Sequence, residues 1–403
     1  MLVWNGGEQS YQKSCIHRSN LRQCRNDMWQ EFLNQNGGIM SYDQISYRRL
    51  FPWLRLVEAI GIAISLRPMI VAAGATGILM LAGVFSGPPV QTVPPLINSG
   101  WTINVPLEPA TSTDILINRR LDQDLLRPWS ALLRPVLGIL SPRGGFQDRL
   151  LYGCQGAWHL AVWGLFGLVL CRLSVRRFTR HEEGSFRTSV QFGMTRWFHA
   201  MVSPLLPTAA AVALIILAVI VALPGRLPFI GEALILVATP LIVVLSLAAA
   251  YLVIAMLLGW PLMVAAIATD DCDGFGGFSR SYSFWTGRSW YFAWCWIVGA
   301  ILSAIALSLA HWLGMITVYF SELVISLGVG PSPVSKSAGR AALTIVTFLL
   351  QSFSVSLFWS TASIIYILLR QSVDKMPLDH SAPDDDEREP RDPLPVVGMP
   401  AMQ

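Results

Sequence analysis

Residues 233–258 read ALILVATPLIVVLSLAAAYLVIAMLL, an apolar run without a charged side chain and without alternation of polar and apolar residues. A helix that crosses the hydrocarbon core of a bilayer needs about 20 predominantly apolar residues. A membrane-spanning strand would instead alternate polar with apolar side chains. The run therefore predicts a transmembrane helix, with a kink at Pro240 and an end at the GWP sequence of residues 259–261.

Five other segments share this character. Together the six predict an all-α polytopic helical membrane protein with about six transmembrane helices plus short amphipathic surface helices. The predicted spans are residues 69–85, 151–171, 205–223, 233–258, 290–312 and 341–369. The composition agrees, because 53% of the 403 residues are hydrophobic and only 13% are charged, about half the charged fraction of a soluble protein.

The distribution of basic residues predicts the orientation of the spans. Cytoplasmic loops of membrane proteins are enriched in arginine and lysine. Here these residues precede the first span, lie between the second and third and between the fourth and fifth, and follow the sixth. All four groups fall on one side of a six-span protein. Both termini are therefore predicted to be cytoplasmic, and residues 86–150 to form an extracytoplasmic loop of a protein of the bacterial cytoplasmic (inner) membrane.

The two ends of the chain are polar. Residues 1–49 are predicted to be disordered, and residues 371–403 to be a disordered, acidic, proline-rich cytoplasmic tail. The first 40 residues contain no apolar core of a cleavable signal peptide. Because the sequence from Met40 resembles a more typical start, residues 1–39 are interpreted as an extension from a misplaced start codon.

The long loop and the cysteines give two smaller predictions. The sequence LLRPWSALLRPV, residues 125–136, predicts an interfacial helix with Trp129 at the lipid headgroups. The six cysteines show neither a disulfide framework nor a C-x-x-C motif, so all are interpreted as reduced thiols. The small net charge of +4 argues against a nucleic-acid partner. The expected partners are the lipid bilayer and other membrane proteins.

The stretch DDCDGFGGFSRSYSFWTGRSWYF, residues 270–292, places acids beside glycines and raises the possibility of an ion or phosphate site. A calcium loop needs a bidentate acid at its twelfth position. Aligning Gly274 with the invariant glycine places Arg280 there, which argues against calcium. A phosphate loop would follow a strand or end in Lys-Ser/Thr, and neither feature is present.

A short amphipathic helix on the membrane surface fits the stretch better. Four aromatic residues recur at spacings of three, four and three, which aligns them on one face, and Arg280 lies opposite. Asp273 is expected to cap the first turn. The residues assigned to this helix are Asp273, Phe275, Phe278, Arg280, Tyr282, Trp285 and Arg288. Similar segments precede the first and third spans, the latter capped by Ser185, so three repeats of surface helix, outward span and inward span are hypothesised.

Three stretches also carry a resemblance. They are GWPLMVAAIATDDCDGFGGFSRSYSFWTGRSWYF (259–292), AVWGLFGLVLCRLSVRRFTRHEEGSFRTSVQF (161–192) and IIYILLRQSVD (364–374). They resemble uncharacterised planctomycete-type bacterial polytopic membrane proteins. SRSYSFWTGRSWYF is distantly similar to the membrane domain of glycerophosphodiester phosphodiesterases. The resemblance implies architecture and location but no activity, since it involves no catalytic domain.

Candidate chemical groups inside the spans are few. The six spans contain no Asp, Glu, Lys or Arg, and His159 and His311 are their titratable groups other than cysteine and tyrosine. A lone histidine in a helix is usually a hydrogen-bonded packing residue. Serines on the sixth span share one face and fit helix–helix packing better than a pore lining. These serines are Ser352, Ser356, Ser360 and Ser363.

Three functions follow from these patterns. The favoured hypothesis is a non-enzymatic structural or accessory membrane protein, with no cofactor and no metal. The second is a carrier or channel for a neutral or lipid-like solute that uses the serine face. The third is a lipid-modifying enzyme that uses His181, Glu182 and Glu183, although the second histidine of an H-E-x-x-H motif is missing.

Overall fold

The computed structural model describes residues 52–85, 129, 145–180, 185–227, 230–330 and 332–374, with the side chains of residues 81–85 excepted. These residues form helices and no strand. A 3₁₀ turn, Pro52–Val57, leads into the first helix, and another, Leu223–Arg226, follows the fourth. The helices are α1 (Glu58–Ala63), α2 (Leu66–Phe85), α3 (Phe146–Arg180), α4 (Phe186–Ala222), α5 (Gly231–Asp270), α6 (Gly274–Gly287), α7 (Ser289–Val329) and α8 (Pro333–Asp374).

Five of these helices, α3, α4, α5, α7 and α8, are long and apolar enough to cross a membrane. A sixth candidate results if the first turn and α1 are counted together with α2 as one span. The axis of this segment changes direction by 73° at the short break before α2. The predicted all-α fold is therefore confirmed, with five to six helices that are long and apolar enough to span a membrane. The segments predicted to be disordered, residues 1–49 and 371–403, lie outside the described residues, except that residues 371–374 form the end of α8.

The predicted end of the fourth span at GWP is wrong, because α5 continues through Pro261 to Asp270. A proline inside a helix leaves the carbonyl four residues earlier without its N–H partner. That carbonyl is Leu257 O, and the indole N–H of Trp129 donates to it at 2.9 Å. A donor from elsewhere in the chain thus replaces the missing bond, and the helix does not need to stop.

The predicted position of Trp129 also needs correction. Instead of facing the headgroups, its partly buried ring packs against the helix bundle, 5.3 Å from the ring of Trp296 and 5.0 Å from that of Phe358. The rest of the predicted interfacial helix, residues 125–136, lies outside the described residues. Trp129 therefore ties the long loop to α5, α7 and α8.

The surface segment predicted before the third span is not a separate helix. It is continuous with that span in α4, which contains both Pro204 and Pro207. Ser185 occupies the N-cap position, but its side chain makes no capping hydrogen bond. The three joints proposed as repeats differ in geometry, since α1 and α2 are bent, α4 is unbroken and α6 is separated from α7 at Arg288. The repeat hypothesis stays a prediction.

Helices α3, α5 and α8 run in the same direction and form the core. Trp359 of α8 lies between Trp163 of α3 and Trp260 of α5, with ring centroids 6.2 and 5.4 Å away. All three rings are almost completely buried. A Cβ on Gly167 of α3 would come within 2.7 Å of the Trp359 ring, so the glycine allows α3 and α8 to approach closely. This core positions the ends of α5 and α8 next to each other.

Candidate functional site

The end of α5 carries two adjacent acids, Asp270 and Asp271. Negative side chains are unfavourable at a helix C-terminus, where the carbonyl ends of the peptide dipoles already concentrate negative charge. The side chain of Asp270 is also only 3% exposed. A buried carboxylate is tolerated when cations and hydrogen-bond donors surround it. The structure supplies these from α6 and α8.

Both carboxylate oxygens of Asp270 have a cationic neighbour, although the contact to Oδ1 lacks hydrogen-bond geometry. Arg370 Nη1 lies 2.6 Å from Oδ1. Arg280 pairs with Oδ2, and the hydroxyl of Tyr366 donates to the same oxygen. We call Asp270, Arg280, Tyr366 and Arg370 the Asp270 cluster. It joins the end of α5 to α6 and to the last turns of α8.

Two further arginines extend the charge pairing to α3 and α4. Arg196 Nε lies 2.8 Å from the carboxylate of Asp271, a residue in the left-handed conformation with φ 51°. Arg172 donates to the carbonyl of Ala268 at 3.3 Å and stacks 3.7 Å above the ring of Phe192. A cation on the last carbonyls of a helix is favourable. Five helices therefore meet at the end of α5.

Helix α6 begins as the sequence predicts, because the side chain of Asp273 accepts a hydrogen bond from the N–H of Gly276 at 2.8 Å. Its buried face, however, lies between the aromatic stripe and Arg280. The residues of this face are Gly274, Gly277, Ser281 and Phe284. Ser281 donates to the carbonyl of Gly259 at 3.0 Å. Small residues thus let α6 lie directly on α4 and α5.

The predicted aromatic stripe is partly used in packing. Phe275 is exposed, whereas Phe278 lies against Tyr282 with centroids 4.5 Å apart. Trp285 contacts the rings of Tyr251 and Phe292 at 6.0 and 5.3 Å. The stripe therefore bridges α6 to α5 and α7. The predicted surface residue Arg288 lies exposed at the joint between α6 and α7.

Tyr282 fixes α6 to the middle of α5. Its hydroxyl donates to the carbonyl of Leu252 at 2.9 Å. Burial, with a smaller effect from Tyr251, raises the pKa of Tyr282 to about 12. The phenol therefore keeps its proton, and the hydrogen bond it donates, throughout the neutral and moderately alkaline range.

Cys272, in the link between α5 and α6, is expected to react slowly with alkylating reagents. Burial, followed by the negative charges of Asp273 and Asp271, raises the pKa of its thiol to about 11, although Arg196 acts in the opposite direction. Only the thiolate reacts, and its fraction at pH 8 is about 100-fold lower than for a thiol of ordinary pKa. Because a more basic thiolate is also a better nucleophile, we expect alkylation to be slower by about tenfold or more. Iodoacetamide labelling followed by peptide mass spectrometry measures this rate.

The matched control places a second thiol on the same element. Thr286→Cys introduces a cysteine at an exposed position of α6 and leaves Cys272 in place. The rate at Cys272 should rise about tenfold per pH unit up to pH 11, whereas the control thiol should reach its plateau earlier. Equal rates at the two positions at pH 8 would contradict the prediction.

The serine face of α8 is buried and hydrogen-bonded. Ser352 and Ser363 donate to carbonyls of their own helix, whereas Ser360 bonds to the hydroxyl of Ser174 on α3 at 3.0 Å. Ser356 donates to the carbonyl of Ala63 at 2.9 Å. Ala63 ends α1 at the 73° bend. The hydroxyls of this face therefore act in helix packing, and Ser356 satisfies a carbonyl that the broken helix leaves open.

Replacing Ser356 with alanine is expected to destabilise the bundle by about 2 kcal/mol, because a buried carbonyl at the bend loses its donor. The free energy of unfolding in mixed detergent micelles measures the effect. Ser363→Ala is the matched control. Its hydroxyl bonds to the carbonyl of Trp359, which is part of the regular hydrogen-bonding of the same helix and so keeps a donor when the hydroxyl is removed. Equal losses from the two variants would show that the bond to Ala63 has no special role.

The two candidate histidines lie on different helices and each bonds to its own helix. His159 Nδ1 is 2.7 Å from the carbonyl of Gln155 in α3, and His311 Nδ1 is 2.8 Å from that of Leu307 in α7. No group of three His, Cys, Asp or Glu side chains within the described residues is arranged to hold a metal ion. The four described cysteines are free thiols. The proposed enzymatic residues His181, Glu182 and Glu183 lie outside the described residues.

Within the Asp270 cluster, the residues that the sequence did not single out are Asp270, Tyr366 and Arg370. One signal was available: an acid at the end of a long apolar helix opposes the helix dipole and requires cations. Which cations meet it depends on tertiary structure. Comparison of the chain with protein-family models, with curated proteins and with solved structures finds no match.

Proposed function

We propose that the chain is a non-enzymatic integral protein of the bacterial cytoplasmic membrane that acts as a structural or accessory component. The main support is the use of its polar groups. The buried carboxylate of Asp270 pairs with two arginines and accepts a hydrogen bond from a tyrosine. The serine face of α8 is buried against neighbouring helices. These groups hold helices together.

The surfaces of the long helices support the membrane location. Exposed apolar side chains cover α4, α5 and α7, as on a protein surrounded by lipid. In α5, for example, Leu236 and Val237 are 74% and 81% exposed. The resemblance to bacterial polytopic membrane proteins agrees with this location, and the basic residues favour cytoplasmic termini.

A carrier for a neutral or lipid-like solute is the second candidate, and one observation favours it. Discontinuous helices often form substrate sites in transporters. The bend between α1 and α2 is such a break, and Ser356 contacts it directly. The hydroxyl is fully buried, so transport would require this contact to open.

The test of the proposed function uses the full chain in two preparations. Purification from native membranes in mild detergent should recover a protein partner at a fixed ratio, identified by mass spectrometry. The purified chain alone, reconstituted in vesicles, should show neither solute flux nor turnover of lipid headgroups above protein-free vesicles. Flux that is saturable in a solute would establish the carrier instead, and headgroup turnover would establish an enzyme.

A further inference from the structure

Helices α4 and α5 extend from the core as a pair. Residues 208–222 of α4 and 231–254 of α5, with the 3₁₀ turn that follows α4, form what we call the arm. The buried residues among those described in the arm are all small: Ala211, Ala218, Gly231 and Ala249. By contrast, every residue from Leu262 to Ala268 of α5 is completely buried. Small residues let the two helices of the arm pair closely, whereas the last part of α5 is fixed in the core.

Prolines interrupt the hydrogen bonding of both helices near the base of the arm. Pro204 and Pro207 lie inside α4, and Pro261 lies inside α5. Each of them removes a backbone N–H that would otherwise bond to the carbonyl four residues earlier. Sharp kinks in helices occur mainly at such positions. Both helices of the arm are therefore weakened where they join the core.

The weakened points of the two helices lie at one level of the molecule, as their contacts with the core show. A Cβ on Gly164 of α3 would lie 3.7 Å from the Cβ of Ala200, which is one turn before the first proline of α4. The neighbouring Trp163 contacts the ring of Trp359, and so does Trp260, the residue before the proline of α5. A bend at this level would therefore move both helices of the arm together.

A side chain from the segment between α2 and α3 completes α5 at this level. The carbonyl of Leu257, which Pro261 deprives of its helical donor, accepts the indole N–H of Trp129 at 2.9 Å. The ring of Trp129 contacts those of Trp296 in α7 and Phe358 in α8. The indole therefore connects α5 to the core at the point where the backbone bond is missing.

A second side chain reaches α5 from α6, but it does not replace a missing bond. The hydroxyl of Tyr282 donates to the carbonyl of Leu252 at 2.9 Å. The residue four positions after Leu252 is Met256, whose backbone N–H is the regular helical donor for that carbonyl. Loss of the Tyr282 hydroxyl therefore leaves Leu252 with its helical donor, whereas loss of the Trp129 N–H removes the replacement donor of Leu257.

We propose that the base of the arm is a hinge and that Trp129 holds it closed. With the indole in place, α5 is continuous through Pro261 and the arm has one position. When the indole is withdrawn, the carbonyl of Leu257 loses its donor and α5 bends at the proline. A bend of about 20° would move Leu247, 14 residues from Pro261, by about 7 Å. The inference goes beyond the proposed function and does not depend on it, because it uses only burial and contacts.

Distances between two spin labels test the hinge. In a cysteine-free chain in nanodiscs, the labels are placed at exposed positions of the arm and of α7, by Leu247→Cys and Ile301→Cys. Trp129→Phe keeps an aromatic ring against α7 and α8 but removes the N–H, so it should shift or broaden the distance distribution by about 7 Å. Pro261→Ala restores the backbone N–H, so the double variant should regain the original distribution. Tyr282→Phe is the matched control: it should have a smaller effect, which Pro261→Ala does not change.

Each outcome decides what the indole does. An unchanged distribution in Trp129→Phe would overturn the hinge. The same change with and without Pro261→Ala would also overturn it, because the ring of Trp129 rather than its N–H would then position the arm. If Trp129→Phe does not fold, folding of the double variant would support the hinge, and failure of both variants to fold would contradict it. These results leave the proposed accessory function untouched, since partner recovery and flux test that function separately.

Discussion

Replacing Asp270 with asparagine is expected to lower the free energy of unfolding by about 3–5 kcal/mol, the loss typical of removing one partner from a buried ion pair. The pair with Arg370 is well shielded from water, since the two side chains are 3% and 13% exposed. Asparagine retains the shape of the side chain but removes its charge, leaving the buried guanidinium of Arg370 with the half-exposed carboxylate of Asp374, 3.9 Å from its Nε, as its remaining acidic partner. Unfolding in mixed detergent micelles, followed by circular dichroism, measures the change.

Asp271→Asn is the matched control for this experiment. The two acids are neighbours at the end of the same helix, but the side chain of Asp271 is 57% exposed and pairs with a partly exposed Arg196. Exposed ion pairs contribute about 0–1 kcal/mol. Asparagine also tolerates the left-handed backbone at this position. Equal losses for the two variants would mean that the Asp270 cluster does not hold the bundle together.

The helical class was predictable from the sequence because it depends on local properties. Uncharged apolar runs of about 20 residues are long enough to cross a bilayer. Without polar–apolar alternation, such runs can pair their backbone N–H and C=O groups in lipid only as helices. Helix ends were harder to predict. The GWP sequence at residues 259–261 is a reasonable end by local rules, yet α5 continues because Trp129 supplies a donor from far along the chain.

The Asp270 cluster was beyond the reach of the sequence for the same reason. Tyr366 is 96 positions from Asp270, and no spacing rule connects them. Arg280 illustrates the limit well: its place opposite the aromatic stripe was predictable from helical periodicity, but the buried acid that it meets was not. Local patterns give the direction of a side chain around its own helix, whereas its partner is set by how the helices pack.

The docking face of α6 was also missed, because hydrophobic periodicity emphasises large residues. The aromatic stripe dominates the pattern, but small residues determine where a helix comes closest to its neighbours. A Cβ on Gly274 would lie 2.8 Å from the carbonyl oxygen of His199 in α4. A Cβ on Gly277 would lie 2.9 Å from Ile267 and 3.0 Å from the carbonyl oxygen of Met263 in α5.

The double variant Gly274→Ala/Gly277→Ala is therefore expected to displace α6 and to destabilise the protein by about 2–6 kcal/mol, the sum of two overpacked sites. Backbone carbonyls form part of both contacts, so the neighbours cannot make room by a simple side-chain rotation. Displacement should also weaken the ion pair between Arg280 and Asp270. Faster alkylation of Cys272 would report the loosened link separately from global unfolding.

Gly287→Ala, on the same helix, is the control with the opposite sign. Nothing lies within 4 Å of a Cβ at this position. Alanine in a helix loses less backbone entropy on folding than glycine, so this variant should be more stable by about 0.5–1 kcal/mol. Opposite signs at two ends of one helix can arise only if the close contacts, rather than helix propensity, determine the docking of α6. Stabilisation by the double variant would show that α6 lies farther from α4 and α5 than the glycine contacts require.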